Sequence, residues 1–259
     1  YTKTAATLLL TWPYIAREYA RKTKPTNTMS PKDFIGVGIS PEKSNPEQTL
    51  QLLQDLGVKR LLLRVPEWHV PEINQYLKFA ETFNSYDILI NILQSHHSVC
   101  DVRRWTERVE TIIQAFKPIT KEFQIGNAVN RTKWGCSNTS DYLSLIKATQ
   151  HLKDRHPDVT MIGGSVIDFE PLPLLRILFN FHHYHFDVCS SQLYVNRRGA
   201  PSNKQFGYFD LDTKIRLYKS IINMGNRCNN RFFITETNWP LLNTKPYTPN
   251  SGDPRSTAS

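Results

Sequence analysis

Short apolar runs in this 259-residue chain are repeatedly followed by side chains that can do chemistry. Glu236 closes the run that begins at Arg231, and Asn238 and Trp239 come directly after it. Arg64 ends the run Arg60-Leu-Leu-Leu, with Glu67, Trp68 and His69 beyond Pro66. Gln94 and His96 follow Asp87–Leu93, while Asn127, Asn130 and Trp134 follow Glu122–Gly126. Tyr194 and Asn196 stand at the end of the run from Phe186. A carboxylate can attack or exchange a proton, and a guanidinium or phenol can hold it in place. Amides grip hydroxyls, and indole faces stack on the flat C–H faces of a pyranose ring. Such a set suits a sugar better than a cofactor. It works only if the run ends are brought to one place.

The intervening sequence supplies the elements that would do this. Strands are expected over Phe34–Ser40, Arg60–Val65, Asp87–Leu93, Glu122–Gly126, Thr160–Val166, Phe186–Val195 and Arg231–Thr237, as short apolar or alternating runs bounded by turn residues. Helices are expected between them. Leu50, Leu53 and Leu56 recur at helical spacing in Pro46–Leu56, which Gly57 stops. Ile73–Phe83, Trp105–Phe116, Ser140–Arg155, Leu172–Phe181 and Thr213–Met224 carry similar stripes.

Strands alternating with helices predict a parallel sheet with helical crossovers. An open doubly wound sheet needs a glycine-rich phosphate loop after its first strand. Here Gly36-Val-Gly38 is a lone GxG followed by Pro41. The expectation is therefore an α/β (β/α)8 TIM barrel, in which the C-terminal strand ends converge on the site.

The order of these motifs resembles clan A of the glycoside hydrolases, the retaining (β/α)8-barrel enzymes, from about Phe34 to Trp239. The segment Phe232-Phe-Ile-Thr-Glu236-Thr-Asn-Trp-Pro240 is similar to the seventh-strand nucleophile segment, and the resemblance implies that Glu236 is the nucleophile. It implies that Arg64, in Leu63-Arg-Val-Pro66, and Tyr194, in Leu193-Tyr-Val, orient that carboxylate. Asn127 corresponds to the asparagine that contacts the sugar 2-hydroxyl. Trp68, Trp134 and Trp239 are candidate stacking platforms, with His96, Asn130 and Asn196 as further substrate contacts.

Two positions depart from the family pattern. Where the family's fourth strand ends Asn-Glu, with the glutamate as acid/base, this chain reads Asn127-Ala128. Retaining hydrolysis uses two carboxyl groups about 5–5.5 Å apart, and alanine has no proton to give. Glu67, Asp101, Asp168 and Glu170 are the rim carboxylates that could stand in. Gln192 occupies a position where many relatives carry histidine. The expected function is thus hydrolysis of O-glycosyl bonds, or carbohydrate binding without turnover.

Composition narrows the remaining classes. Hydrophobic residues make up 39% and charged residues 21%, which excludes a disordered or collagen-like chain. No apolar run approaches the ~18 residues of a membrane span. The net charge of +9 invites a nucleic-acid partner, yet the cations are scattered and no binding motif accompanies them, so none is expected. Cys100, Cys136, Cys189 and Cys228 lie far apart, which suits free thiols and a cytoplasmic setting. His182, His183 and His185 precede a strand, away from the site, and His96-His97 lacks zinc spacing. No cofactor or metal is implied, and no Gly-x-Ser-x-Gly elbow is present.

Three stretches are expected: a basic leader over 1–33, the barrel over 34–240 and a loop-like tail over 241–259. Pro13 argues against a continuous helix in the leader, although Leu8, Leu9, Trp12, Ile15 and Tyr19 fall roughly on one side. A full barrel typically takes about 250 residues. The span from Phe34 to Pro240 accommodates only seven strands, so an incomplete barrel, shortened at its C-terminal end, is expected.

Overall fold

The computed structural model describes residues 2–21, 31–42, 45–195, 202–225 and 227–238. Helices α1 (Thr2–Ala20) and α2 (Pro31–Phe34) precede strand β1 (Gly36–Ile39). The alternation then runs α3 (Pro46–Leu56), β2 (Arg60–Pro66), α4 (Ile73–Glu81), β3 (Asp87–Leu93), α5 (His96–Cys100), α6 (Val102–Phe116) and β4 (Glu122–Ile125). It continues with α7 (Thr139–Thr149), α8 (Leu152–Arg155), β5 (Thr160–Ile167), α9 (Pro171–Leu178), β6 (Val188–Gln192), α10 (Leu211–Met224) and β7 (Phe232–Glu236).

All seven strands pair in parallel in sequence order, β1 to β7. Alternation along each strand separates two apolar layers. Leu61, Leu63 and Val65 of β2, Ile88, Ile90 and Ile92 of β3, and Phe123 and Ile125 of β4 face the helices and form the main core. Leu62, Leu89, Ile162, Val188 and Phe233, from five different strands, form a separate small cluster. That cluster is the packed interior of a curved sheet. The Arg60 guanidinium of β2 lies 5.6 Å from the Phe233 ring of β7, and Arg64 of β2 reaches Glu236 of β7. The sheet therefore closes nearly into a barrel: a (β/α)8 architecture with seven strands among the described residues.

The helices bury the faces that their spacing dictates. Trp105, Val109, Ile112, Ile113 and Phe116 of α6 are fully buried, and the Asp101 carboxylate caps the helix by accepting from the Arg104 N–H at 3.0 Å. Two expectations need correction. The expected helix over 140–155 is two helices, α7 and α8. At their junction the Thr149 hydroxyl donates to the carbonyls of Leu145 and Ile146, a back-bonding that bends helices. Within the leader, Thr2–Ala20 forms one helix despite Pro13. Proline there removes the N–H that would have bonded the Leu9 carbonyl, and Leu9 is exposed, so water can satisfy it. Ile15, with Leu8 and Tyr19, packs inward on the core, whereas Leu9 and Trp12 face outward.

Candidate active site

At the C-terminal ends of the strands, three elements bring together one carboxylate and two partners. Arg64 lies near the end of β2, Tyr194 two residues past β6, and Glu236 at the end of β7. The Arg64 guanidinium donates to Glu236 Oε2 and the Tyr194 hydroxyl to Glu236 Oε1, so both carboxylate oxygens are held. The Glu236 side chain retains 23% of its exposure and that of Arg64 41%, which leaves the group reachable from solvent.

Asn127 is placed by a separate device. Gly126, with φ 98°, ends β4 in a conformation that side chains rarely adopt, and a Cβ there would lie 2.8 Å from the Tyr142 ring. The Gln94 side chain then grips the Asn127 backbone, with the Asn127 N–H donating to Oε1 and Nε2 donating to the Asn127 carbonyl, both at 2.8 Å. Asn91 Nδ2 (3.0 Å) and Gln192 Nε2 (2.6 Å) both donate to Asn127 Oδ1. This fixes the amide orientation and leaves Nδ2 as its remaining polar group. Gln124 extends the network, donating to Asn91 Oδ1 and Ser165 Oγ at 3.0 Å each. Asn91, Gln124, Asn127, Ser165 and Gln192 are all buried.

Ala128, next in sequence, is fully buried with φ 45°; Ser165 (φ 44°), inside β5, and Asp168 (φ 61°), just beyond its end, are also in the left-handed region. Such conformations cost about 1–3 kcal/mol each in non-glycine residues. Backbone strain thus collects at the rim.

The four alternative carboxylates are all engaged as acceptors. Glu67 is buried against α6, ion-paired with Arg108, and accepts from Ser95 Oγ (2.6 Å) and Ser98 Oγ (3.0 Å). Asp101 caps α6. Asp168 and Glu170 share Arg131, each at 2.7 Å. In each of these contacts the carboxylate is the acceptor.

The other expected contact residues are dispersed. Asn130 is a brace between β4 and β5: its Nδ2 donates to the Ile167 carbonyl (3.0 Å) and Glu170 (2.7 Å), while its Oδ1 accepts from the Ile167 N–H (2.8 Å). Trp68 is exposed on a 3-10 turn over Glu67–Glu72, edge-on to His69. Trp134 ends a second 3-10 turn, held against the β3 end by Gly135, where a Cβ would lie 2.3 Å from the Ser95 backbone. His96 opens α5, exposed, with Nε2 3.6 Å from Cys100 Sγ. Asn196 and Trp239 lie outside the described residues. Among the described residues, no three histidine, cysteine, aspartate or glutamate side chains converge as a metal set would.

Two features escaped the sequence reading. The Lys214 side chain on α10 is fully buried, and Nζ donates to the carbonyls of Tyr194 (3.0 Å) and Val195 and to Gln205 Oε1 (2.8 Å). Burial pushes this ammonium down to about 8, against the opposing attraction of Asp168 and Asp210. Its place on the Leu217, Tyr218 and Ile221 face was the available signal. The second is a cavity of about 170 Å³ beside Tyr194, lined by Arg131, Asp168, Phe169, Glu170, Gln205 and Phe206.

No protein-family model and no curated protein matches the chain. Solved structures do. A family 39 glycoside hydrolase from the gut symbiont Bacteroides cellulosilyticus WH2 aligns with TM-score 0.51 and 13% identity over 79% of this chain; the chain spans about half of that structure, 49%. The virulence factor SghA, in complex with its substrate analog salicin, aligns with TM-score 0.50 and 9% identity over 86% of this chain and 79% of that one. A 3,6-anhydro-D-galactonate cycloisomerase from Zobellia galactanivorans also matches, with TM-score 0.34 and 9% identity over 85% of this chain and 56% of that one. At the identities of the first two, the likeness is one of fold alone, that of a (β/α)8 barrel.

Proposed function

We propose that this barrel binds a carbohydrate at its C-terminal rim and acts on O-glycosyl bonds by a retaining mechanism with Glu236 as nucleophile. The observation that carries this reading is the clamp of both Glu236 oxygens by Arg64 and Tyr194 at the mouth of the barrel. A carboxylate so held has its attacking oxygen fixed in place, and orientation of this kind supplies much of an enzyme's rate. Glu236 attacks the anomeric carbon, the bond to the leaving oxygen breaks with its electron pair on that oxygen, and water later hydrolyses the glycosyl ester. Asn127 Nδ2 is the donor for the 2-hydroxyl. Ala128 supplies no proton to the leaving oxygen, and general acid catalysis is worth about 10²–10⁴ in rate. Activated leaving groups, which depart as stable anions, are therefore the preferred substrates. The cytoplasmic setting rests on the free thiols of Cys100, Cys136, Cys189 and Cys228.

A second reading, a carbohydrate-binding pseudoenzyme, is favoured by the engagement of Glu67, Asp101, Asp168 and Glu170 as acceptors. A 2,4-dinitrophenyl 2-deoxy-2-fluoroglycoside separates the two. The fluorine slows hydrolysis of the ester, so a working nucleophile accumulates an adduct visible by intact mass and mapped to Glu236 by peptide analysis. Glu236→Gln should abolish it. Glycan binding without any adduct in the wild-type chain would decide for the pseudoenzyme.

A further inference from the structure

We propose that the cavity beside Tyr194 is a subsite for a single uncharged sugar ring, with Phe206 as its stacking wall; this rests on the carbohydrate reading above. Its volume, about 170 Å³, falls below the ~300–1,000 Å³ of sites that enclose a whole drug-sized ligand, so it takes one ring or part of one. Its position is set by Tyr194, which lines the cavity and also holds Glu236, so an occupant adjoins the reacting centre.

The polar wall selects hydroxyls over charges. The Arg131 guanidinium is already paired with Asp168 and Glu170 and donates to the Asn130 carbonyl at 3.0 Å. Lys214 behind the wall is fully buried on three acceptors. Among the described residues, no cation of the wall is thus left to receive a carboxylate or phosphate. The carboxylates of Asp168 and Glu170 remain about a third exposed and present lone pairs to hydroxyl donors, while repelling anions.

The apolar wall is built at a cost. Gln205 and Phe209 exchange backbone hydrogen bonds at 2.9 Å in both directions, closing a tight turn with Phe206 and Gly207 at its tip. Both tip residues have positive φ, 53° and 72°. Glycine takes that conformation freely, whereas a phenylalanine there is strained. The turn is anchored below, since Gln205 accepts from Lys214 and the Phe209 ring lies 4.8 Å from that of Phe169. The result is an anchored base that presents a ring 80% exposed beside the cavity. An exposed aromatic face carries negative quadrupole potential, which matches the axial C–H groups of a pyranose.

Saturation-transfer NMR titrations of the chain with methyl β-glucoside, methyl β-galactoside and methyl β-xyloside, and with methyl β-glucuronide, test this. We expect a neutral glycoside to bind more tightly than the glucuronide. Phe206→Ala should weaken it about five- to tenfold, and Phe206→Tyr should retain binding. The alanine variant should keep the wild-type thermal midpoint, because the ring is exposed. Equal affinity in wild type and Phe206→Ala, or tighter glucuronide binding, overturns the subsite. So does the absence of binding by all four glycosides. Fluoroglycoside labelling of Glu236 in the same preparation keeps the two ideas apart. Labelling without Phe206-dependent binding leaves the enzyme reading and removes the subsite. Phe206-dependent binding without labelling does the reverse.

Discussion

The two walls of the barrel are built differently. From β2 to β6, most strand positions are buried, with hydrophobic residues towards the helices and an amide network towards the interior. On the other side, all five residues of β7 are partly exposed, and of β1 only Ile39 is buried. No strand among the described residues joins β1 to β7. Glu236 sits on this second wall. It is held less by the packing of its own strand than by side chains reaching from the first, Arg64 from β2 and Tyr194 from beyond β6. The packed wall supplies position and the open wall supplies the carboxylate proposed as nucleophile.

A matched pair of substitutions tests this contrast with the largest expected effect. Phe123→Ala on β4 deletes a fully buried ring and should cost about 3–5 kcal/mol. Phe233→Ala on β7 removes a partly exposed ring that lies 5.6 Å from Arg60 and 5.5 Å from Arg231. Its cost should be only about 1–2 kcal/mol. Urea unfolding of both variants checks the difference; equal losses would mean that the two walls share one cooperative core.

The amide network should respond next. Gln192→Leu takes one of two donors from Asn127 Oδ1 in a buried setting, where a lost partner costs about 1–3 kcal/mol. Arg64→Met breaks a pair whose side chains keep 41% and 23% of their exposure, so its effect on stability should stay within about 1 kcal/mol. Its effect on function should be larger, since a carboxylate released from one of its two holds is misplaced; labelling of Glu236 should slow roughly ten- to a hundredfold. Urea midpoints and labelling rates measured on the same two proteins separate packing from orientation.

What the sequence made legible follows the same division. Asp87–Leu93 is a strand with the expected bounds, and Trp105, Val109, Ile112, Ile113 and Phe116 bury the expected face, because period and burial coincide there. Arg64, Tyr194 and Glu236 could be grouped in advance because the resemblance to clan A implies that grouping, and a parallel barrel brings the strand ends that carry them together. Loops and long side chains were not legible. That Asn130 is consumed in bracing β5, or that Glu67 turns towards Arg108 on α6, depends on rotamers and loop paths that a periodic pattern does not encode. Lys214 was hidden for another reason: a lysine in a helix reads as surface until the neighbouring carbonyls that hold it are known.

Lys214 also yields the smallest and most specific test, because it fastens the packed wall to the segment that carries Tyr194. Its folded-state value, about 8, lies below the ordinary 10.5 because burial disfavours the ammonium, with Asp168 and Asp210 only partly offsetting this. Between those two values the unfolded chain holds a proton that the folded chain has lost. The unfolded state then binds more protons, so stability from this group rises with pH across the window from about 8 to 10.5 and is lowest below it. Burial raises the Cys136 thiol and the Tyr142 and Tyr184 phenols, which adds slopes of opposite sign and makes the absolute slope uninformative. The difference from Lys214→Met isolates the group. The variant should be less stable at pH 7, through the unpaired carbonyls of Tyr194 and Val195, and should lack the wild type's extra gain between pH 8 and 10. Urea midpoints at four pH values suffice. Parallel curves for the two proteins would show that the ammonium is hydrated rather than buried.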